Sequence, residues 1–334
     1  MKLIALYGVL QDKLNINLLK ISIASLYNTV DEVIILFDTP NNKNDRSLKY
    51  FNKKKISIYF SKRKKKTTNS PVAEVLKLGR QHKGTHFIFL DSDEAFTYPL
   101  MKNIRKYVSN MKPGEKLVMD WISMWKKFDY YRCDKKSIWS NLSKDFVYCD
   151  NLKDKFLNSY LYYSRTPGKL NNNFKHLSRE EGAVMHFQFV NWKYYQSKQA
   201  WYMLCHSAIS NKKNDIDNKN KSLAAINRMY FFTYFENYPS TKKIKFMWQK
   251  HINNKFFKEK NKNNIIYWEK KFSLFFKKHD IAKYEQLNIW HISFLKKLFI
   301  NKIKRNPKAN FLNKIIFYLF IIKQIFIQCL TIIK

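Results

Sequence analysis

Short apolar runs separated by polar turns fill the first ninety or so positions. Leu3–Leu10, Val33–Phe37, Ile56–Phe60 and Phe87–Leu90 are apolar and brief, and each reads as a strand. Between them the period changes. Asn15–Asn28 carries Leu18, Leu19, Ile21, Ile23, Leu26 and Tyr27, which gives a helix with one buried face. Ser47–Lys54 reads as a short helix. Ser70-Pro71 opens another, with Ser as N-cap and Pro in the first turn. Val72, Val75, Leu76 and Leu78 give that helix its core face, and Gly84 is its expected stop. The order β-α-β-(α)-β-α-β with short connections predicts a mostly parallel sheet with right-handed crossovers and helices on both faces.

Beyond Glu94 the pattern loses this regularity. Met101–Ser109 reads as a helix, Pro113-Gly114 as a turn, and Lys116–Trp125 as an apolar, aromatic strand with Asp120 inside it. Tyr130–Asp150 suggests antiparallel pieces, Arg165-Thr-Pro-Gly a loop, Ala183–Trp192 a strand and Gln196–Ser210 a helix. After residue 211 the chain is rich in Lys and Asn and helical in pattern, in the pieces Leu223–Tyr234, Ile265–Phe276 and Ile289–Ile303, with Pro307 breaking the last. Ile315–Ile333 is strongly apolar but contains Lys323, Gln324, Gln328 and Thr331. A lysine inside a span costs roughly 2.5–3.5 kcal/mol. A helix lying in the plane of an anionic membrane surface avoids that cost and is the first expectation for the segment, with a core or oligomer-contact helix second and a membrane span third.

The 334 residues include 63 basic and 25 acidic ones, a net charge of +38. That balance attracts polyanions: nucleic acid, anionic membrane or phosphate-bearing substrates. Lys, Asn and Ile are abundant together, a bias that an AT-rich genome produces unaided, so charge alone fixes no partner. Cys133, Cys149, Cys205 and Cys329 form no C-x-x-C pattern, which points to a reducing compartment and away from zinc or a disulfide framework. The opening MKLIALYGVLQD has no small-residue cleavage site and reads as a strand, not a signal peptide.

The chemistry concentrates in THFIFLDSDE, residues 85–94. Three carboxylates, Asp91, Asp93 and Glu94, follow a strand expected to be buried on both faces. In open α/β sheets ligands bind outside the carboxyl ends of the strands. Two acids two positions apart at such an end repel unless a cation lies between them, and Mg²⁺ or Mn²⁺ takes carboxylate and phosphate oxygens together. The pattern therefore suggests a metal–diphosphate site. Neither G-x-G-x-x-G nor G-x-x-x-x-G-K occurs, so a dinucleotide fingerprint and a P-loop are unsupported.

These features resemble the nucleotide-binding half of a GT-A fold glycosyltransferase, most like family 2. The residues that carry the likeness are the strand-helix-strand ending at Asp38 with its polar turn, the helix Pro71–His82, and FLDSDE. The later segments MDWISMW, SIWSN, SRTPG and HFQFVNW…KQAWY are similar to a subset of bacterial surface-polysaccharide transferases. The resemblance implies a GT-A type three-layer α/β domain with a mostly parallel sheet over 1–210, divided into a nucleotide-binding half (1–95) and an acceptor half (96–210). A helical, basic extension (211–334) has no counterpart.

The resemblance further implies metal-dependent transfer from a nucleoside-diphosphate sugar to a glycan or lipid-linked acceptor, with Mn²⁺ or Mg²⁺ as cofactor. The expected place is the cytoplasm, peripheral on the inner face of the membrane. Asp38 would hydrogen-bond the base, Asp91 would lie near ribose or metal, and Asp93 and His186 would ligate the metal. Arg165 would meet phosphate or an acidic acceptor. For the general base Asp145 is the first candidate, with Asp120, Glu180 and Glu181 beside it, and inversion and retention both stay open. Trp121, Trp125, Trp139 and Trp192 offer faces for sugar stacking or core packing.

Two rivals fit less well. A haloacid-dehalogenase phosphatase wants Thr or Val where Ala95 stands. A basic nucleic-acid-binding protein accounts for the charge, but the lysine runs are dispersed and no specific nucleic-acid module appears.

Overall fold

The computed structural model describes residues 1–9, 13–37, 46–61, 70–133, 142–156, 165–168, 173–192, 194–198, 200, 201, 204, 241–252, 272–277, 280–282, 293–308, 311, 315, 318, 319 and 322. The early apolar runs form β1 (Leu3–Val9), β2 (Glu32–Phe37), β3 (Ile56–Phe60) and β4 (His86–Phe89). They pair in parallel in the order β3-β2-β1-β4. Helix α1 (Lys13–Ala24) crosses from β1 to β2, and a 3-10 turn, Arg46–Phe51, lies between β2 and β3. Helix α2 (Ser70–Gln81) then carries the chain from β3 back to the far side of β1, where β4 pairs. Strand order therefore reverses between β1 and β4, the position at which an open α/β sheet leaves a crevice at its carboxyl edge.

Side-chain alternation divides the core into two layers. Leu3, Ala5, Tyr7 and Val9 of β1 pack with Ile16, Leu19 and Ile23 of α1 and with Leu100, Ile104 and Val108 of α3 (Tyr98–Val108). Ile4 and Leu6 point the other way, joining Phe87 and Phe89 of β4 and Val75 and Leu76 of α2. A strand buried on both faces needs apolar residues at odd and even positions alike, which is why these runs do not alternate with polar residues. The result is a three-layer α/β fold with a largely parallel central sheet, as expected.

The second half is mixed. Its strands are β5 (Glu94–Phe96), β6 (Lys116–Trp125), β7 (Tyr130–Arg132), β8 (Leu142–Cys149), β9 (Phe174–His176) and β10 (Ala183–Phe189). β8 lies antiparallel between β4 and β6, so the sheet continues without a gap. β10 runs parallel to β6 and antiparallel to β5. The expected helix from Met101 starts earlier, at Tyr98, because Thr97 is extended and Pro99 suits the first turn.

The chain forms two compact units, Met1–Val190 with Thr241–Lys260, and Asn191–Ser240 with Asn261–Lys334. In the first, β11 (Thr241–Lys243) pairs with β7, and a single helical turn, α4 (Phe246–Gln249), follows. In the second, α5 (Ser293–Ile303) buries Leu295 and Phe299, and Lys304 at φ 61° closes it. The predicted piece Leu223–Tyr234 lies outside the described residues. Among the described residues no helix is long and apolar enough to cross a membrane.

Candidate functional site

Asp91, Ser92 and Asp93 follow β4 after Leu90, at the crevice left by the strand reversal. Asp93 and Glu94 are buried, at 5% and 0% exposure. What sits opposite them is set by backbone pairing. β5 runs antiparallel to β10 with Glu94 facing His186, and the Phe187 amide donates to the Asp93 carbonyl at 2.7 Å. This register brings His186 Nε2 to 3.6 Å from Asp93 Oδ2. The His186 ring stacks on Trp121 of β6, with centroids 4.1 Å apart and planes at 22°. Two residues ninety-three positions apart in sequence thus converge because β4, β5 and β10 meet at one edge.

Arg165 completes the cluster. Its guanidinium, 4% exposed, donates from Nη1 to Glu94 Oε2 at 2.5 Å and from Nη2 to Glu94 Oε1 at 2.6 Å. Nη2 also donates to Asp91 Oδ2 at 3.0 Å. Such a bidentate guanidinium–carboxylate pair is strong and directional. Burial pushes the Glu94 carboxyl up, Arg165 pulls it down, and the Asp91 and Asp93 carboxylates push it up again. The guanidinium is the internal cation that lets this acid be buried.

Arg165 is presented by a loop that other buried charges hold. Thr166 donates its amide and its hydroxyl to Asp145 Oδ2, at 3.3 and 2.5 Å. Lys116 Nζ, almost wholly buried, donates to the Gly168 carbonyl at 3.1 Å and lies 3.8 Å from Asp145. Burial pulls the Lys116 ammonium down, and Asp145 and Asp154 pull it back up. Gly168 takes φ +73°, which favours glycine, and closes the loop with an amide donation to the Lys155 carbonyl.

The structure therefore places the expected site residues unequally. Asp93 and His186 meet, and Asp91 and Arg165 meet beside them. Asp145, the first candidate for a base, is buried and occupied with Thr166 and Lys116. Asp120 projects from β6 one position from Trp121, hence on the opposite face. It accepts from Ser143 Oγ at 3.0 Å and Arg179 Nε at 2.8 Å. Glu180 is exposed and pairs with Lys245, and Glu181 accepts from the Ser178 amide, a bond that holds its carboxyl below the usual range. Neither glutamate joins the Asp93–His186 cluster. Asp38, expected at the nucleotide base, lies outside the described residues, as does Trp139.

Reading the residues gave Glu94 no role and left Lys116 unnoticed. The first signal available was the third acid of DSDE, one more negative charge than two metal ligands require. The second was a lysine opening an otherwise apolar strand.

A divalent ion bridging oxygen and nitrogen at about 2.1 Å from each keeps the two ligands within about 4.2 Å. The 3.6 Å between Asp93 and His186 fits that limit. Among the described residues no group of three or more His, Cys, Asp and Glu side chains could hold a metal.

No family model matches the chain. No curated protein matches it. Solved structures overlap it loosely. One is residues 1–349 of S. aureus TarS in complex with UDP-GlcNAc, at 14% identity over 86% of this chain and 81% of that one, with a TM-score of 0.40. Another is HddC from Yersinia pseudotuberculosis, at 12% identity over 60% of this chain and 100% of that one, with a TM-score of 0.34. Overlaps this loose carry nothing about a ligand.

Proposed function

We propose that this chain is a metal-dependent glycosyltransferase that uses a nucleoside-diphosphate sugar. The observation that supports the reading is the convergence of Asp93 and His186, 3.6 Å apart, at the carboxyl end of β4 where strand order reverses. In this reading Asp93 and His186 hold Mn²⁺ or Mg²⁺. When bound, the ion neutralises charge on the departing diphosphate. Arg165 holds Glu94 and Asp91, which fixes the backbone of the acidic turn and orients Asp93 toward His186. Asp91, whose side chain is 46% exposed, accepts from a donor hydroxyl on the ribose. Trp121, stacked on His186, limits the ring to one orientation and keeps water from its inner face. The acceptor is a glycan or lipid-linked saccharide of a bacterial surface polymer, a choice that follows the sequence resemblance across 1–210.

The test is Asp93→Asn and His186→Gln, each assayed for donor hydrolysis and for Mn²⁺-dependent thermal stabilisation by UDP-, GDP-, CMP- and dTDP-sugars. Stabilisation of the parent chain by one nucleotide class only when Mn²⁺ is present is expected. Loss of activity by at least about a hundredfold in either variant is also expected, the scale for removing a group that stabilises developing charge. Full activity in Asp93→Asn would remove the proposed role.

A further inference from the structure

Near its carboxyl end the second unit carries an apolar stripe that faces outward. Phe311, Ile315, Tyr318, Leu319 and Ile322 are all helical, and they are 77%, 39%, 58%, 61% and 61% exposed. Their spacing in the sequence, i, i+4, i+7, i+8 and i+11, is that of one helical face. Large side chains on a helix in a globular protein normally turn such a face inward. Here the five described side chains are exposed.

The charge around it identifies what covers it. Lys296, Lys297, Lys302, Lys304, Arg305 and Lys308 are exposed immediately before the stripe. No acidic residue occurs anywhere in 286–334. A protein partner with a mixed surface gains little from a segment with one sign of charge and five exposed large apolar side chains. An anionic bilayer matches both features: its headgroups take the lysines and its acyl boundary takes the aromatic and aliphatic side chains. We infer that the Phe311–Ile322 stripe docks in the interfacial plane of an anionic lipid bilayer, with the basic residues of 296–308 as its electrostatic contact. The inference uses no residue of the Asp93 cluster and stands whether or not that assignment does.

The experiment uses the full chain and vesicles of phosphatidylcholine, alone or with phosphatidylglycerol. Sedimentation with the mixed vesicles only, weakened by salt, is expected. Phe311→Ser with Tyr318→Ser, Leu319→Ser and Ile322→Ser should lower binding at least about tenfold, with the unfolding midpoint unchanged because the side chains are exposed. Lys296→Gln with Lys297→Gln and Lys304→Gln should lower it about fivefold per lysine. Tyr318→Trp gives a second readout that needs no loss of side chains: extra tryptophan quenching by brominated lipid, relative to the parent, is expected. Equal sedimentation with both vesicle types overturns the inference. So does undiminished binding by the serine variant, or a Tyr318→Trp signal that brominated lipid leaves unchanged. A lipid-independent dimer that the serine variant dissolves would assign the stripe to a second copy of the chain instead.

Discussion

At the scale of single residues, the site is a problem of burying negative charge. Three acids lie within four positions, and two of them are removed from water. An isolated buried carboxylate is too costly to keep ionised, so a cation must come with it. Arg165 supplies that cation to Glu94 through two hydrogen bonds. Removing one partner of such a pair strands the other and costs about 3–5 kcal/mol, whereas replacing both with apolar groups of similar size is often neutral. Arg165→Met is therefore expected to lower unfolding free energy by about 3–5 kcal/mol in urea titration, and adding Glu94→Leu to recover most of that loss. Equal stability of Arg165→Met and the parent would show that the pair does not hold the acidic turn. The strands beside Asp93 and around His186 were legible because their runs are apolar, whereas the pairing of the two residues came only from the family resemblance. The Arg165–Glu94 pair was not legible, because the partners are seventy-one positions apart and nothing local distinguishes an arginine in Arg-Thr-Pro-Gly from a surface one.

At the scale of elements, the apolar runs specified their strands almost to the residue, and β6 covers Lys116–Trp125 as its pattern predicts. The three-residue strand β5 was invisible, since Glu-Ala-Phe has no period to read. The end of α2 shows how a correct boundary can hide a different cause. Gly84 was the expected stop, and a glycine that ends a helix commonly takes positive φ. The left-handed position belongs instead to Lys83, at φ 58°. Gly84 is needed because a Cβ there would lie 2.4 Å from Phe87 Cε1 and 2.8 Å from Ile4 Cδ1. Two adjacent substitutions should accordingly move stability in opposite directions. Lys83→Gly removes the left-handed penalty and should gain up to about 1 kcal/mol. Gly84→Ala overpacks a filled core and should lose about 1–3 kcal/mol. Thermal unfolding of the two variants checks both signs, and a loss in Lys83→Gly would mean that the lysine side chain, not its backbone, sets the turn.

At the scale of the whole molecule, the first unit closes on itself through a segment that returns from far along the chain. Residues 241–252 bring β11 to β7 and set His251 against the start of α3. Nothing in a Lys-rich stretch announced this, because β11 is only Thr-Lys-Lys and its strand character comes from its partner. His251 Nε2 donates to the Phe96 carbonyl at 3.0 Å, and its ring lies 5.7 Å from that of Tyr98. Burial pulls the imidazole down, to about 4; the Phe96 carbonyl raises it in part, and Lys250 lowers it further. The sign of the pH effect follows. Well above pH 6.5 the histidine is uncharged in both folded and unfolded chains, so there it adds no pH dependence. As pH falls through about 6.5 the unfolded chain takes up a proton that the folded chain refuses, and stability drops until pH reaches about 4. Burial also lowers His86, which adds to the slope in the same direction. The paired carboxylates Asp31 and Glu32, both held below their ordinary range, lose their contribution as pH falls through a more acidic window. His251→Gln keeps a donor toward the Phe96 carbonyl and cannot titrate. Its unfolding free energy, measured from pH 7 to pH 4, should therefore fall less steeply than the parent's between pH 6.5 and 4. Hydrogen exchange should place the difference in 241–252 and in the Phe96–Thr97 turn. Parallel pH curves for the two proteins would mean that the imidazole is solvated, and that the returning segment is not packed on the sheet as the hydrogen bond to Phe96 requires.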